Sequence, residues 1–87
     1  MTRPSFDPAK NAANIAKHGF GLDTFDGFDD EPAVVLDDRS AYGEDRFRAF
    51  GRIRGLGYMI AYTEENDVMR LISFRRAHEK EMRRYDR

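Results

Sequence analysis

The sequence predicts an α+β fold: two N-terminal helices, a four-stranded, mainly antiparallel sheet and a C-terminal helix, forming a single domain over residues 1–87. Three observations predict it. The stretch 7–19 is alanine-rich and carries helix-start and helix-stop residues at its ends. Between 46 and 75, three runs are apolar or alternate with period two, separated by short turn segments. Residues 77–85 return to helical composition. Eighty-seven residues leave no room for a second core, and 40% hydrophobic with 13% aromatic content is enough to fill one.

The first helix is expected over "DPAKNAANIAKHG". Asp7 suits the N-cap, where a side-chain oxygen takes up an unpaired backbone N–H, and Pro8 suits the first helical position, where no N–H is needed. Ala9, Ala12, Ala13, Ile15 and Ala16 form its apolar stripe, and Gly19 permits a left-handed end. In "LDTFDGFDD", Leu22, Phe25 and Phe28 recur three apart, which reads as a short second helix weakened by Gly27 and ended by the acidic bend "DDEP". "AVVLDD" is a short strand and "RSAYGED" a loop around Gly43. In "RFRAFGRI", Phe47, Ala49 and Gly51 alternate with Arg46, Arg48, Phe50 and Arg52, so the arginines fall largely on one side of a strand. "RGLG" turns, "YMIAYT" is a central strand, "EEND" turns again and "VMRLISFR" is the last strand. Two short turns between three strands make an antiparallel meander. In the tail "AHEKEMRRY", His78, Met82 and Tyr85 share one helical face. A helix this short is marginal alone, so it is expected to dock on the sheet. Phe20, Leu22, Phe25, Phe28, Ile60 and Leu71 are the core candidates.

The absence of cysteine excludes disulfides and thiolate metal sites and fits a reducing, cytoplasmic setting. No apolar run is long enough to span a membrane, and "MTRPSFDPAK" lacks the apolar core of a signal peptide. The formal net charge of −1 hides an asymmetry. Residues 1–45 hold four Lys/Arg against ten Asp/Glu, whereas residues 46–87 hold eleven against six. Such a split suits one face for a polyanion and another for a basic protein, or two halves that neutralise each other within the fold. Arginines projecting from neighbouring strands would form a cationic platform on whichever sheet face the helices leave open.

Several segments together resemble the BrnT family, the toxins of a type II toxin–antitoxin system with a RelE-like fold. They are "DPAKNAANIAKHG" with Lys17-His18-Gly19, "FDDEP", Gly43-Glu44 before Arg46-Phe47, Tyr62-Thr63, and "RLISFRRAHEKEMRRY". They cover nearly the whole chain in the family's order. The resemblance implies a ribonuclease that cuts cellular RNA, a cognate BrnA-type antitoxin, and promoter DNA bound only through the complex with that antitoxin. Phe74 stands where the family commonly has a small residue, which is expected to narrow the cleft.

RNA supplies its own nucleophile, the ribose 2′-hydroxyl. An enzyme must deprotonate it, stabilise the phosphorane and protonate the departing 5′-oxygen. None of this requires a cofactor, and the two histidines, His18 and His78, are far apart in sequence without metal-ligand spacing. The acidic pairs Asp29-Asp30 and Asp37-Asp38 read as solvated turns. Arg75 and Arg76 are the first candidates for holding the phosphate, since a guanidinium is always charged and donates in a planar fork. They alternate sides, so one is expected to reach the scissile phosphate while the other packs or pairs. Arg52 joins the catalytic set and Arg46 the substrate-binding one, each with a surface salt bridge as its plainer reading. His18 is an acid or base candidate, and Lys17 a substrate-binding one. Both also stand in the last helical turn, where cations meet the helix dipole. Tyr62 and Tyr85 are expected to stack on bases or donate to phosphate, with burial as the plainer role for Tyr62. Glu44 is a further base candidate and Ser73 a local hydrogen-bonding residue. The competing reading is a non-catalytic nucleic-acid-binding or protein-interaction module using the same arginine face.

Overall fold

The computed structural model describes residues 4–37 and 45–85, and shows one mixed five-stranded sheet with helical cover on both faces. The strands are β1 (Ser5–Phe6), β2 (Ala33–Asp37), β3 (Arg46–Ile53), β4 (Leu56–Glu65) and β5 (Val68–Arg76), in the order β1-β5-β4-β3-β2. The helices are α1 (Pro8–His18) and α2 (Glu79–Arg84). The class is α+β as expected, but two elements differ from the sequence reading. Residues 22–24 make a single 3-10 turn where a second helix was expected. Gly27 there has φ +104, and Phe25 and Phe28 turn into the sheet face instead of lining a helix. The fifth strand is β1, which runs parallel to β5 through Ser5 opposite Arg70 and Phe6 opposite Leu71. Two residues are too few to show a period, so no local pattern announces that strand.

The meander β3-β4-β5 is antiparallel throughout. Each hairpin closes on two residues with positive φ: Arg54 and Gly55 in the first, Asn66 and Asp67 in the second. That geometry matches the right-handed twist of the flanking strands. On β3 the expected alternation holds. Ala49 packs into one core cluster with Ile60, Tyr62, Leu71 and Phe74, while Phe50 packs into the other with Met59 and Met82. The first cluster lies under the 3-10 turn and the Phe25–Phe28 segment, with α1 at its β5 edge, and the second lies under α2. Two glycines make this packing possible. The Phe28 ring lies over Gly51, where an added Cβ would stand 2.6 Å from it, and Met82 lies over Gly57 at 2.5 Å. Of the core candidates, Leu22, Phe25, Ile60 and Leu71 are buried, with Phe20 and Phe28 packed against them.

Helix α1 begins and ends as expected: Asp7 accepts a hydrogen bond from Ala9 N at 2.8 Å, and Gly19 closes it with φ +87. Its buried face is not the alanine stripe. Ala9, Ala12, Ala13 and Ala16 are exposed and Ile15 is 48% exposed, whereas Asn14 is 4% exposed. The helix lies against the rim of the sheet, where unpaired backbone groups of β5 need partners, so the polar side chain turns inward. No helix among the described residues is long and apolar enough to cross a membrane.

Candidate active site

The site forms at the last third of β5. On the side away from β4, β1 pairs with β5 only at Arg70 and Leu71. Beyond that, Asn14 takes the place of a strand. Its side-chain amide accepts from Phe74 N at 2.9 Å and donates to Phe74 O at 2.9 Å and to Phe20 O at 2.9 Å. One residue thus ties α1 and the segment after it to the open rim of β5.

A β-bulge sorts the two adjacent arginines. Ala61 pairs with Ser73 but Tyr62 pairs with Leu71, so Ile72 is the extra residue. An extra residue reverses which face each following side chain takes. Leu71 and Phe74 therefore both enter the α1-side cluster. Arg75 is turned toward α2, where its fork grips Glu81 at 2.9 and 3.0 Å. Arg76 is turned the other way: its guanidinium lies 5.2 Å from the centre of the Tyr58 ring, and Nε donates to Gly57 O at 3.1 Å.

Here a cleft of about 480 Å³ opens, lined by His18, Phe20, Arg75, Arg76, His78 and Glu81. The two histidines, sixty residues apart in the chain, line the same cleft because α1 ends and α2 begins beside the same strand end. Burial pushes the His18 imidazole below its ordinary range, and the positive charges of Lys17 and Arg75 push it the same way. His18 is thereby biased toward the neutral, proton-accepting form at pH 7. Arg75 is committed to α2, because both terminal nitrogens engage Glu81 and one also donates to Arg76 O at 3.0 Å. Arg76 is exposed, and among the described residues its terminal nitrogens are not spent on a carboxylate fork. Phe74 does not narrow the cleft directly. It is 4% exposed, and Phe20, at 4.9 Å from its ring, forms the wall instead.

The Arg75–Glu81 pair makes stability depend on acidity. The hydrogen bond from Arg75, aided by the backbone N–H of His78, holds the Glu81 carboxyl at about 2, against an ordinary 4.5. The unfolded chain therefore binds a proton here that the folded chain does not. The pair's contribution is complete above pH 4.5 and is lost as pH falls from there toward 2. The melting temperature is expected to fall across that window. Glu81→Gln should melt lower at pH 7 and show a shallower acid limb; an unchanged limb would assign it to other carboxylates.

The remaining sequence candidates among the described residues lie outside the cleft. Arg52 reaches α2 in parallel with Arg75: it donates to Glu79 at 2.9 and 3.3 Å and to Gly55 O at 3.0 Å. Arg46 stands at the far end of β3, opposite Asp37 and Thr63. Asp37 is 4% exposed, unlike the solvated turn expected there, and its neighbour Asp38 is outside the described residues. Tyr62 is buried in the α1-side core and stacks on Phe47 at 5.5 Å; burial, aided by the negative charge of Glu64, pushes its hydroxyl pKa up. Tyr85 stacks on Phe50 at 4.5 Å and seats the end of α2. Lys17 is exposed on the last turn of α1 and acts on the cleft through its charge. Glu44 lies outside the described residues. Two cleft-lining residues, His78 and Glu81, were absent from the sequence candidates for the site, as was Asn14, which ties α1 to the β5 rim beside it. The first two carry a readable signal, because a residue that opens a helix and the one three further on form a capping pair; His78 N donates to Glu81 at 3.0 Å. Nothing local marks Asn14.

Searches of curated proteins and of solved structures give no match for the chain. A family model does match, over residues 6–81: ribonuclease toxin, BrnT, of type II toxin–antitoxin system.

Proposed function

Since the chain belongs to the BrnT family of type II toxin–antitoxin ribonuclease toxins, we propose that it cuts RNA in the cleft at the end of β5. The observation that carries this reading is the gathering of His18, His78 and Arg76 around one cavity. Arg76 holds the scissile phosphate, with unspent donors aimed where negative charge accumulates on the equatorial oxygens. His18, biased toward its neutral form, takes the proton from the ribose 2′-hydroxyl. The 2′-oxygen bonds to phosphorus, the bond to the 5′-oxygen breaks, and His78 gives that oxygen its proton. The products are a 2′,3′-cyclic phosphate and a 5′-hydroxyl end. Every proton and charge has a side chain to serve it, so the scheme needs no metal ion. Arg75 fixes α2, and with it His78, through Glu81. Arg52 does the same through Glu79. Arg46, Lys17 and Tyr85 lie farther out and contact flanking RNA, while buried Tyr62 supports the sheet. An antitoxin of the BrnA type neutralises the protein, and promoter DNA is bound only through that complex.

Purified protein is expected to cut RNA in excess EDTA, leaving 5′-hydroxyl ends that polynucleotide kinase labels without prior dephosphorylation. The acid limb of the rate–pH profile should fall below the ordinary histidine value of ~6.5. His18→Ala should abolish that limb and slow cleavage at least ~100-fold while leaving RNA binding intact. Cleavage that requires a divalent cation, or that His18→Ala leaves unchanged, would reject the mechanism. RNA bound but never cut by the parent protein would favour the non-catalytic reading.

A further inference from the structure

A second cavity lies on the α1-side face of the sheet, beyond the area that α1 covers. It is an apolar groove of about 420 Å³, floored by Ala49, Ile60 and Tyr62 and walled by Phe25, Phe28 and Met69. Val34 lines it too and is 51% exposed. The apolar strip continues to Leu36, which is 56% exposed and stands opposite Phe47 in register. No described helix covers these side chains, although a sheet face of this character normally packs against one.

The groove's charge selects its occupant. Asp26 and Asp67 line it, and among the described residues no Lys or Arg does. Residues 22–32 carry five acidic side chains and no basic one. RNA and anionic lipid are repelled by such a rim. A protein segment with an apolar stripe and basic margins is attracted to it. We infer that this groove docks a helical segment of the antitoxin, whose apolar side chains enter between Phe25 and Met69 while flanking Lys or Arg side chains meet Asp26 and Asp67. The inference rests on the toxin reading and specifies where its inhibitor binds. The site also explains how docking reaches the catalytic cleft without using the arginines. A third depression shares Asp26 and Gly27 with the groove and Phe20 with the cleft, so a helix continuing along it would arrive at the cleft mouth.

The test uses the toxin and its cognate antitoxin. Val34→Lys and Leu36→Lys each replace a half-exposed apolar side chain, so the fold should persist, as the melting temperature will report. Each is expected to raise the Kd for the antitoxin ~30-fold or more, with RNA cleavage by the free toxin unchanged. Asp26→Asn should slow association and flatten its dependence on salt. An unchanged Kd in both lysine variants would overturn the inference and leave the cleavage reading standing. So would a Kd raised by Arg76→Ala alone, which would place the antitoxin in the cleft. A free-toxin dimer that Leu36→Lys dissociates would also overturn it, by assigning the groove to a second copy of the chain. Failure of the parent protein to cut RNA strikes the cleavage reading instead, and the antitoxin titration still decides the groove.

Discussion

Asn14→Ala is expected to destabilise the protein by about 3 kcal/mol or more, because one truncation strands three backbone groups. Phe74 loses partners for both its N–H and its C=O, and Phe20 loses the partner for its C=O. Each orphaned buried group costs about 1–3 kcal/mol, and the site, at 4% exposure, offers little access to water. In a domain of this size the loss should lower the melting temperature by more than ~10 °C. Asn14→Asp should be about as harmful, since a carboxylate keeps the acceptor for Phe74 N–H but faces two carbonyl oxygens with no donor. Urea unfolding of both variants checks this. A loss under ~1 kcal/mol in either would mean that the β5 rim is satisfied without α1. Because Asn14 also sets where α1 ends, the variants that remain folded should cut RNA more slowly through a displaced His18.

Arg76→Ala is expected to lower kcat for RNA cleavage ~100-fold or more, the usual consequence of removing one transition-state donor. Its melting temperature should stay near that of the parent, because Arg76 is exposed and makes one backbone hydrogen bond. Arg76→Lys keeps the charge but loses the planar fork, so only part of the rate should return. The neighbouring substitution Arg75→Ala should behave differently. It leaves Glu81 without its partner and loosens α2, lowering stability together with activity. Single-turnover cleavage and thermal melts on the three variants separate the roles. If Arg75→Ala abolished cleavage at full stability while Arg76→Ala cut normally, the assignment of the two guanidiniums would be reversed.

The contrast between these arginines shows what was readable in advance. "SFRRAH" announces that consecutive side chains alternate faces, and hence that one arginine differs in role from the other. Which one pairs and which one is presented depends on the bulge at Ile72, and a bulge has no signature in a run such as "RLISF". The alanine stripe of α1 misled for a related reason. Helical spacing reports that two faces differ, and the contact surface decides which is buried. Here that surface is a strand rim with unpaired amide groups, so Asn14 is buried and the alanines are not.

By itself the sequence determined the local elements: the Asp7 and Gly19 ends of α1, the two short turns of the meander, the alternation of arginine with apolar residues on β3, and the family to which the ordered motifs point. All of these rest on interactions within a few residues, which a linear pattern records. Only the tertiary structure decided that His18 and His78 line one cleft, that Arg52 and Arg75 are bound by carboxylates of α2, and that Ser5–Phe6 is a strand. Those outcomes depend on partners up to sixty-five residues away, brought together in a core that also packs Phe28 over Gly51 and Met82 over Gly57. Close approach of distant segments is a property of the assembled core, and no single stretch of chain contains it.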